Sequence, residues 1–190
     1  MGKIIYYHYV FLDQINSLIK KNLLQCSNIS IIINLGSDEN KRQHMHSIIK
    51  FAKNNKIPFI IKDNYKDCIK YKADGIFIDS KNKKIIRPIL IKKNFLVLGG
   101  VHNQLEYNKK LNQKCSMIML SPLFYNEKYS KNKIMNVLKF NNKALNWKIK
   151  ICALGGINSK NLKKIKLTKS VAVAYRKKIF ESEINKDLNS

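Results

Sequence analysis

The sequence predicts a compact, single-domain (β/α)8 barrel of the TIM type over residues 1–190, on three observations. Eight short apolar runs recur along the chain. They are continuous rather than alternating, as parallel strands covered on both faces must be. Segments of helical period lie between them, so the order reads strand–helix throughout. At 190 residues the barrel is smaller than the ~250 typical of this fold, and an open doubly wound sheet is the competing architecture.

The strands fall at residues 4–12, 29–34, 58–62, 75–78, 95–98, 116–120, 150–154 and 170–174. Ile15, Leu18, Ile19 and Leu23 recur at helical spacing after the first strand, and Met45, Ile48, Ile49 and Ala52 after the second. Ser37 and Asp38 are candidate caps for that second helix. Residues 81–93, lysine-rich and interrupted by Pro88, leave room for a short helix or none. Leu162 and Ile165 mark a short helix after the seventh strand.

Hydrophobic residues make up 45% of the chain, enough for a core. The formal charge is +25, from 37 basic and 12 acidic residues, yet only Arg42, Arg87 and Arg176 are arginines. A nucleic-acid binder concentrates arginine and aromatics on one face. Here lysines are scattered over nearly every surface segment, so no specific nucleic-acid partner is expected, although the field draws anions toward any cleft. No run reaches the ~18 apolar residues of a membrane span, and no secretory signal opens the chain, so a cytoplasmic protein is expected. Cys26, Cys68, Cys115 and Cys152 form no CxxC pair and read as reduced core thiols. His44 and His46 lie two apart on a helix and face different sides, so they are not a metal pair, and His8 has no evident partner.

In such a barrel the ligand site forms where strands end. The seventh strand runs Ile151-Cys152-Ala153-Leu154 into Gly155-Gly156-Ile157-Asn158. Glycines there let backbone N–H groups approach an anion, and a following helix start adds donors; a plain tight turn reads the same way. The third strand ends in Ile61-Lys62-Asp63, where Asp63 is a candidate Mg²⁺ ligand or equally a helix cap. Asp79 closes the fourth strand as a ligand or turn residue. Gly99-Gly100-Val101-His102 follows the fifth, with Glu106 on the next helix, and His102 is a candidate proton shuttle near neutral pH or a structural histidine. The sixth ends Ser121-Pro122-Leu123-Phe124, followed by a polar loop whose Lys128, Lys131 and Lys133 are candidate contacts to phosphate oxygens or simply a solvated charged run.

Together these segments resemble the thiamine phosphate synthase / TenI family. Ile61-Lys62-Asp63 stands at the family's I-N-D, and Ala73-Asp74-Gly75-Ile76-Phe77-Ile78-Asp79-Ser80 at its ADGVHLGQ. Gly99-Gly100-Val101-His102 falls at G-x-S-x-H, and Ser121-Pro122-Leu123-Phe124 at the G/S-P-V/L-F end of the sixth strand. Ala153-Leu154-Gly155-Gly156-Ile157 matches A-[IL]-G-G-I outright, and Ser170-Val171-Ala172-Val173 is close to G-V-A-V. The segments occur in order across nearly the whole chain.

The resemblance implies thiamine biosynthesis: joining an aminopyrimidine pyrophosphate to a thiazole phosphate with release of pyrophosphate. It implies backbone phosphate binding at Gly155, Gly156, Ala174 and Tyr175, Mg²⁺ on Asp63, catalytic roles for His102 and Lys128, and substrate contacts from Lys62, Asp79, Ser121 and Asn126. Departures accompany it. The R-x-K signature of synthases falls in residues 33–38 and neither cation is there. The second Mg²⁺ carboxylate falls near Asn82, the serine two before His102 is Gly100, and the T-x-T-K loop has become Asn126-Glu127-Lys128-Tyr129. Lys62 or Lys128 are the candidates to replace the missing cations. TenI relatives lack the pyrophosphate machinery, need no Mg²⁺, and tautomerise the thiazole phosphate with the histidine that His102 retains. A phosphate-binding barrel without chemistry is the third reading.

Overall fold

The computed structural model describes residues 7–34, 39–84, 95–125 and 133–181. Eight strands close a parallel barrel in chain order: β1 (Tyr7–Leu12), β2 (Ile29–Ile33), β3 (Phe59–Lys62), β4 (Gly75–Ile78), β5 (Leu96–Val101), β6 (Met117–Leu120), β7 (Lys150–Leu154) and β8 (Ala172–Arg176), the last pairing back onto β1. The open sheet is therefore excluded. Helices α1 (Ser17–Gln25), α2 (Glu39–Asn54), α3 (Tyr65–Tyr71), α4 (Gln104–Asn112) and α5 (Asn136–Ala144) wrap the outside.

Strand alternation splits the apolar residues into two cores. Tyr9, Ile32, Ile60, Phe77, Leu98, Met117, Met119, Cys152, Ala172 and Ala174 fill the barrel. Val10, Leu12, Ile31, Ile33, Ile61, Ile76, Ile78, Ile118, Ile151 and Val173 face outward onto the helices. Met45, Ile48, Ile49 and Ala52 are all buried on α2, as their spacing predicts. Asparagines start the helices. Asn16, Asn64 and Asn103 accept the backbone N–H of Ile19, Asp67 and Glu106 at 2.8, 3.1 and 3.0 Å, the geometry of side-chain N-caps.

Two expectations change. β5 continues through Gly99 and Gly100 to Val101, so these glycines are strand residues and not a loop. A Cβ on Gly99 would sit 2.9 Å from the Lys110 stem and the Cys115 sulfur, so the missing side chain makes way for a lysine. β8 begins and ends two residues later than the apolar run suggests. The short helix expected after β7 is present, as a 3₁₀ helix (Leu162–Leu167). The proposed caps Ser37 and Asp38 and most of the 81–93 connection lie outside the described residues. No helix among the described residues is long and apolar enough to cross a membrane.

Candidate functional site

All strands are parallel, so every strand-end residue named above lies at one end of the barrel, its C-terminal mouth. Asp63 and Gly156 follow strands on opposite sides of the ring and share that end.

At the β3–β4 side, Asp63 adopts a left-handed backbone (φ 55°), which Asp tolerates better than most residues. It is not the cap of α3; Asn64 is. Its Oδ1 accepts the Asp79 backbone N–H at 2.9 Å and the Asn82 side-chain amide at 2.8 Å. Lys62 Nζ sits 2.8 Å from Asp79 Oδ2, so this candidate cation already has an anion. Asp79 Oδ1 accepts the Lys81 N–H at 3.2 Å and the Ser80 hydroxyl at 3.3 Å, an Asx turn. Burial pushes the Asp79 carboxyl up, but the hydrogen bonds from Lys62 and Lys81 outweigh it and hold it below the ordinary carboxylate range.

Behind this wall lies Lys110, wholly buried on α4. Its Nζ donates to Asp79 O at 2.7 Å, Asn82 O at 3.1 Å and Gln113 Oε1 at 2.8 Å. Gln113 in turn donates to Asn82 O and Lys84 O at 3.0 and 2.7 Å. Residues 79–84 are thus pinned from beneath. Sequence reading passed over Lys110, one basic residue among 37.

The donor set at this wall does not fit Mg²⁺. That ion binds through one or two carboxylates with near-octahedral oxygen geometry. Here Asn82 turns an amide donor toward Asp63 where the family carries a second carboxylate. No group of three His, Cys, Asp or Glu able to hold a metal occurs among the described residues.

At the β5 end, Glu106 Oε2 accepts both the His102 backbone N–H at 2.7 Å and Nδ1 at 3.0 Å, and Lys143 Nζ donates to His102 O at 2.9 Å. The ring is held by α4 and its backbone by α5. An Nδ1–H donated to Glu106 leaves Nε2 as the basic nitrogen.

The β6–β7 side is built from backbone. The Leu123 and Phe124 N–H groups donate to Leu154 O and Gly155 O, both at 3.0 Å. Ser121 is buried at the end of β6, its N–H on Val101 O at 3.1 Å, and the Ser121–Pro122 peptide is cis. Gly155 and Gly156 both have positive φ, at 98° and 69°. A Cβ on Gly156 would collide with the carbonyl oxygens of Phe124 and Tyr125. The glycine pair is therefore demanded first by the β6 loop pressed against it. The Gly156 carbonyl accepts Asn161 Nδ2 at 2.7 Å, and Asn158 and Asn161 cap the turn that follows. The N–H groups of Gly156 and Ile157 donate to no acceptor among the described residues.

On β8, Ala174 and Tyr175 lie inside the strand. The Tyr175 ring packs outward, stacked on His8 with its hydroxyl 3.1 Å from His8 Nδ1 and edge-on to Phe180. His8, partnerless in sequence, thus braces β8. Arg176 shares the barrel-facing register of Ala172 and Ala174 and is exposed at the mouth. Leu154 pairs with Ala174 in the last rung of the β7–β8 ladder, so the Gly155-Gly156 turn and Arg176 follow from neighbouring strand ends. The i, i+2 pattern from Ala172 points to Arg176 once the strand is extended. Lys177, next along, pairs with Asp13 at 2.8 Å.

Lys128 and Asn126 lie outside the described residues. Burial pushes the thiols of Cys26 and Cys115 up to about 11 and that of Cys68 up to about 12, and raises Cys152 as well, so none is a ready nucleophile.

A profile of the family described as thiamine monophosphate synthase matches residues 14–179. No curated protein sequence matches the chain. Among solved structures, a thiamine phosphate pyrophosphorylase from Pyrococcus furiosus is similar with a TM-score of 0.75 at 13% identity, covering 97% of this chain and 92% of that one. A thiamine phosphate pyrophosphorylase from Bacteroides thetaiotaomicron gives 0.52 at 15% identity, over 93% and 85%. KGPDC from Streptococcus mutans gives 0.61 at 11% identity, over 94% and 91%, a likeness of fold. With the family profile spanning β2 to β8, the chain belongs to the thiamine monophosphate synthase family.

Proposed function

We propose that the chain is a thiamine-biosynthetic enzyme that binds a thiazole phosphate and moves a proton on its ring with His102, the tautomerisation of the TenI branch. The observation that carries this reading is the His102–Glu106 pair at the mouth. Glu106 fixes the ring through Nδ1, and Nε2 acts as the base that takes a proton from one ring position and returns it at another. The phosphate sits across the ring of strands on the Gly156 and Ile157 N–H groups, with the Arg176 guanidinium beside them. Ser121 contributes a hydroxyl from the neighbouring strand end. Lys62, tied to Asp79, supplies no uncompensated cation for a leaving pyrophosphate.

The second reading is the joining of aminopyrimidine pyrophosphate to thiazole phosphate. The family description and the two solved relatives named thiamine phosphate pyrophosphorylases favour it. One experiment separates the two. The chain is incubated with the unisomerised thiazole phosphate alone, then with aminopyrimidine pyrophosphate and Mg²⁺ added, and both products are followed by NMR and chromatography. The expected result is isomerisation, slowed about 100-fold or more in His102→Gln, and no thiamine phosphate. Thiamine phosphate formation would install the second reading. Ligand binding with neither product would leave a non-catalytic binder.

A further inference from the structure

We propose that two lysine ammonium groups, Lys62 and Lys110, stand at the β3–β4 mouth in place of a divalent cation, so that this wall takes no Mg²⁺ of its own. The inference deepens the reading above, because it says how that mouth is charged before a phosphate arrives. Asp79 is gripped from two directions. Lys62 Nζ lies 2.8 Å from its carboxylate and Lys110 Nζ 2.7 Å from its carbonyl oxygen. Three of the four carboxylate oxygens of Asp63 and Asp79 accept hydrogen bonds or an ion pair, and only Asp63 Oδ2 accepts none among the described residues. A single carboxylate oxygen is a poor anchor for an ion that gives up its water reluctantly.

The charge tells the same story. Lys62 is paired with Asp79 and a second ammonium, Lys110, lies beneath the same segment, so a divalent ion would add positive charge that these carboxylates already have cations to offset. Lys110 is wholly buried and its nearest partners are neutral oxygens. Burial lowers its pKa, while Cys115, Asp63, Asp79 and Glu106 act to keep it charged. The Asn82 amide cannot simply be reversed to offer its oxygen to a cation. Its Oδ1 already accepts the Lys84 N–H at 2.9 Å, and a turned amide would set NH₂ against N–H there. The amide and the two lysines thus form one closed arrangement.

The test uses Mn²⁺ as the probe, titrated into the protein without substrate and read by the electron paramagnetic resonance signal of the free ion. No phosphate ligand is present, so the outcome is independent of whether thiazole phosphate is the substrate. The wild-type chain is expected to bind no stoichiometric Mn²⁺. The double variant Lys62→Met/Asn82→Asp, which restores a second carboxylate and removes the competing ammonium, is expected to gain one site about tenfold or more tighter than any background. Adding Asp63→Asn should abolish that site. Circular dichroism melts matching wild type verify that each variant is folded. A wild-type chain that takes one Mn²⁺, lost in Asp63→Asn, overturns the proposal. A folded double variant that gains no site overturns it equally, because Asn82 and Lys62 would then not be what keeps the cation out.

Discussion

On the β3–β4 side of the mouth, charged side chains meet one another: Lys62 on Asp79, Asn82 on Asp63, Lys110 beneath both. On the β7–β8 side the groups on offer are main-chain N–H donors at a glycine pair and one guanidinium. The first wall cancels its own charge, and the second offers donors. On the proposed reading an anionic ligand is held by the second wall and merely bounded by the first. The +25 of the whole chain favours the approach of any anion, and the proposed site assigns where it rests.

The sharpest way to break this contrast is Gly156→Ala. A methyl group there meets two backbone oxygens that cannot rotate away, in a left-handed conformation. Backbone strain of about 1–2 kcal/mol and overpacking of about 1–3 kcal/mol together give an expected loss of about 3–4 kcal/mol in urea unfolding. A loss below about 1 kcal/mol would mean that the β6 loop yields and the turn is not rigid.

Lys110→Met tests the side-chain wall. The stem is kept, but Gln113 Oε1 loses the Lys110 donor, and the Asp79 and Asn82 carbonyls keep only the Asn82 N–H and the Gln113 amide. A loss of about 2–3 kcal/mol is expected by the same measurement. Arg176→Met addresses the donor wall without touching the core. Stability should hold within about 0.5 kcal/mol, and thiazole phosphate binding by calorimetry should weaken about tenfold or more. Unchanged affinity would remove Arg176 from the site.

His8 gives the smallest effect and a pH signature. Burial lowers its pKa from the ordinary 6.5, so the folded ring stays neutral where the unfolded one takes up a proton. Its contribution to stability is full above pH 6.5 and is lost as pH falls toward the folded pKa. His8→Phe keeps an aromatic ring against Tyr175, costs about 1 kcal/mol at neutral pH for the lost hydrogen bond, and should flatten the stability profile below pH 6.5. An unaltered slope between wild type and variant would show that another group titrates there.

The strands were legible because a parallel barrel strand is apolar on both faces, and β4 and β7 match their sequence bounds at both ends. β5 reads short because Gly99-Gly100 looks like a turn, whereas pairing continues to Val101 and one glycine clears a path for Lys110. β8 reads early because Ser170-Val171 is as strand-like as Ala174-Tyr175, and this shift hid Arg176. The strand-end motifs placed Asp63, Asp79, His102 and the glycine pair at one mouth. What holds Asp79 and its loop was invisible, since Lys62 with Asp79 and Lys110 with residues 79–84 meet only when the ring closes. In a chain so rich in lysine, nothing in the pattern separates a buried ammonium from a solvated one.

The central claim is that a phosphate rests on the main-chain donors beside Arg176. A ¹H–¹⁵N correlation titration with thiazole phosphate tests it most directly. The account predicts saturable shifts of the Gly156 and Ile157 amides and of the Arg176 Nε–H, with the β-strand starts unmoved. Shifts confined to the opposite end of the barrel, or spread without saturation over surface lysines, would contradict it.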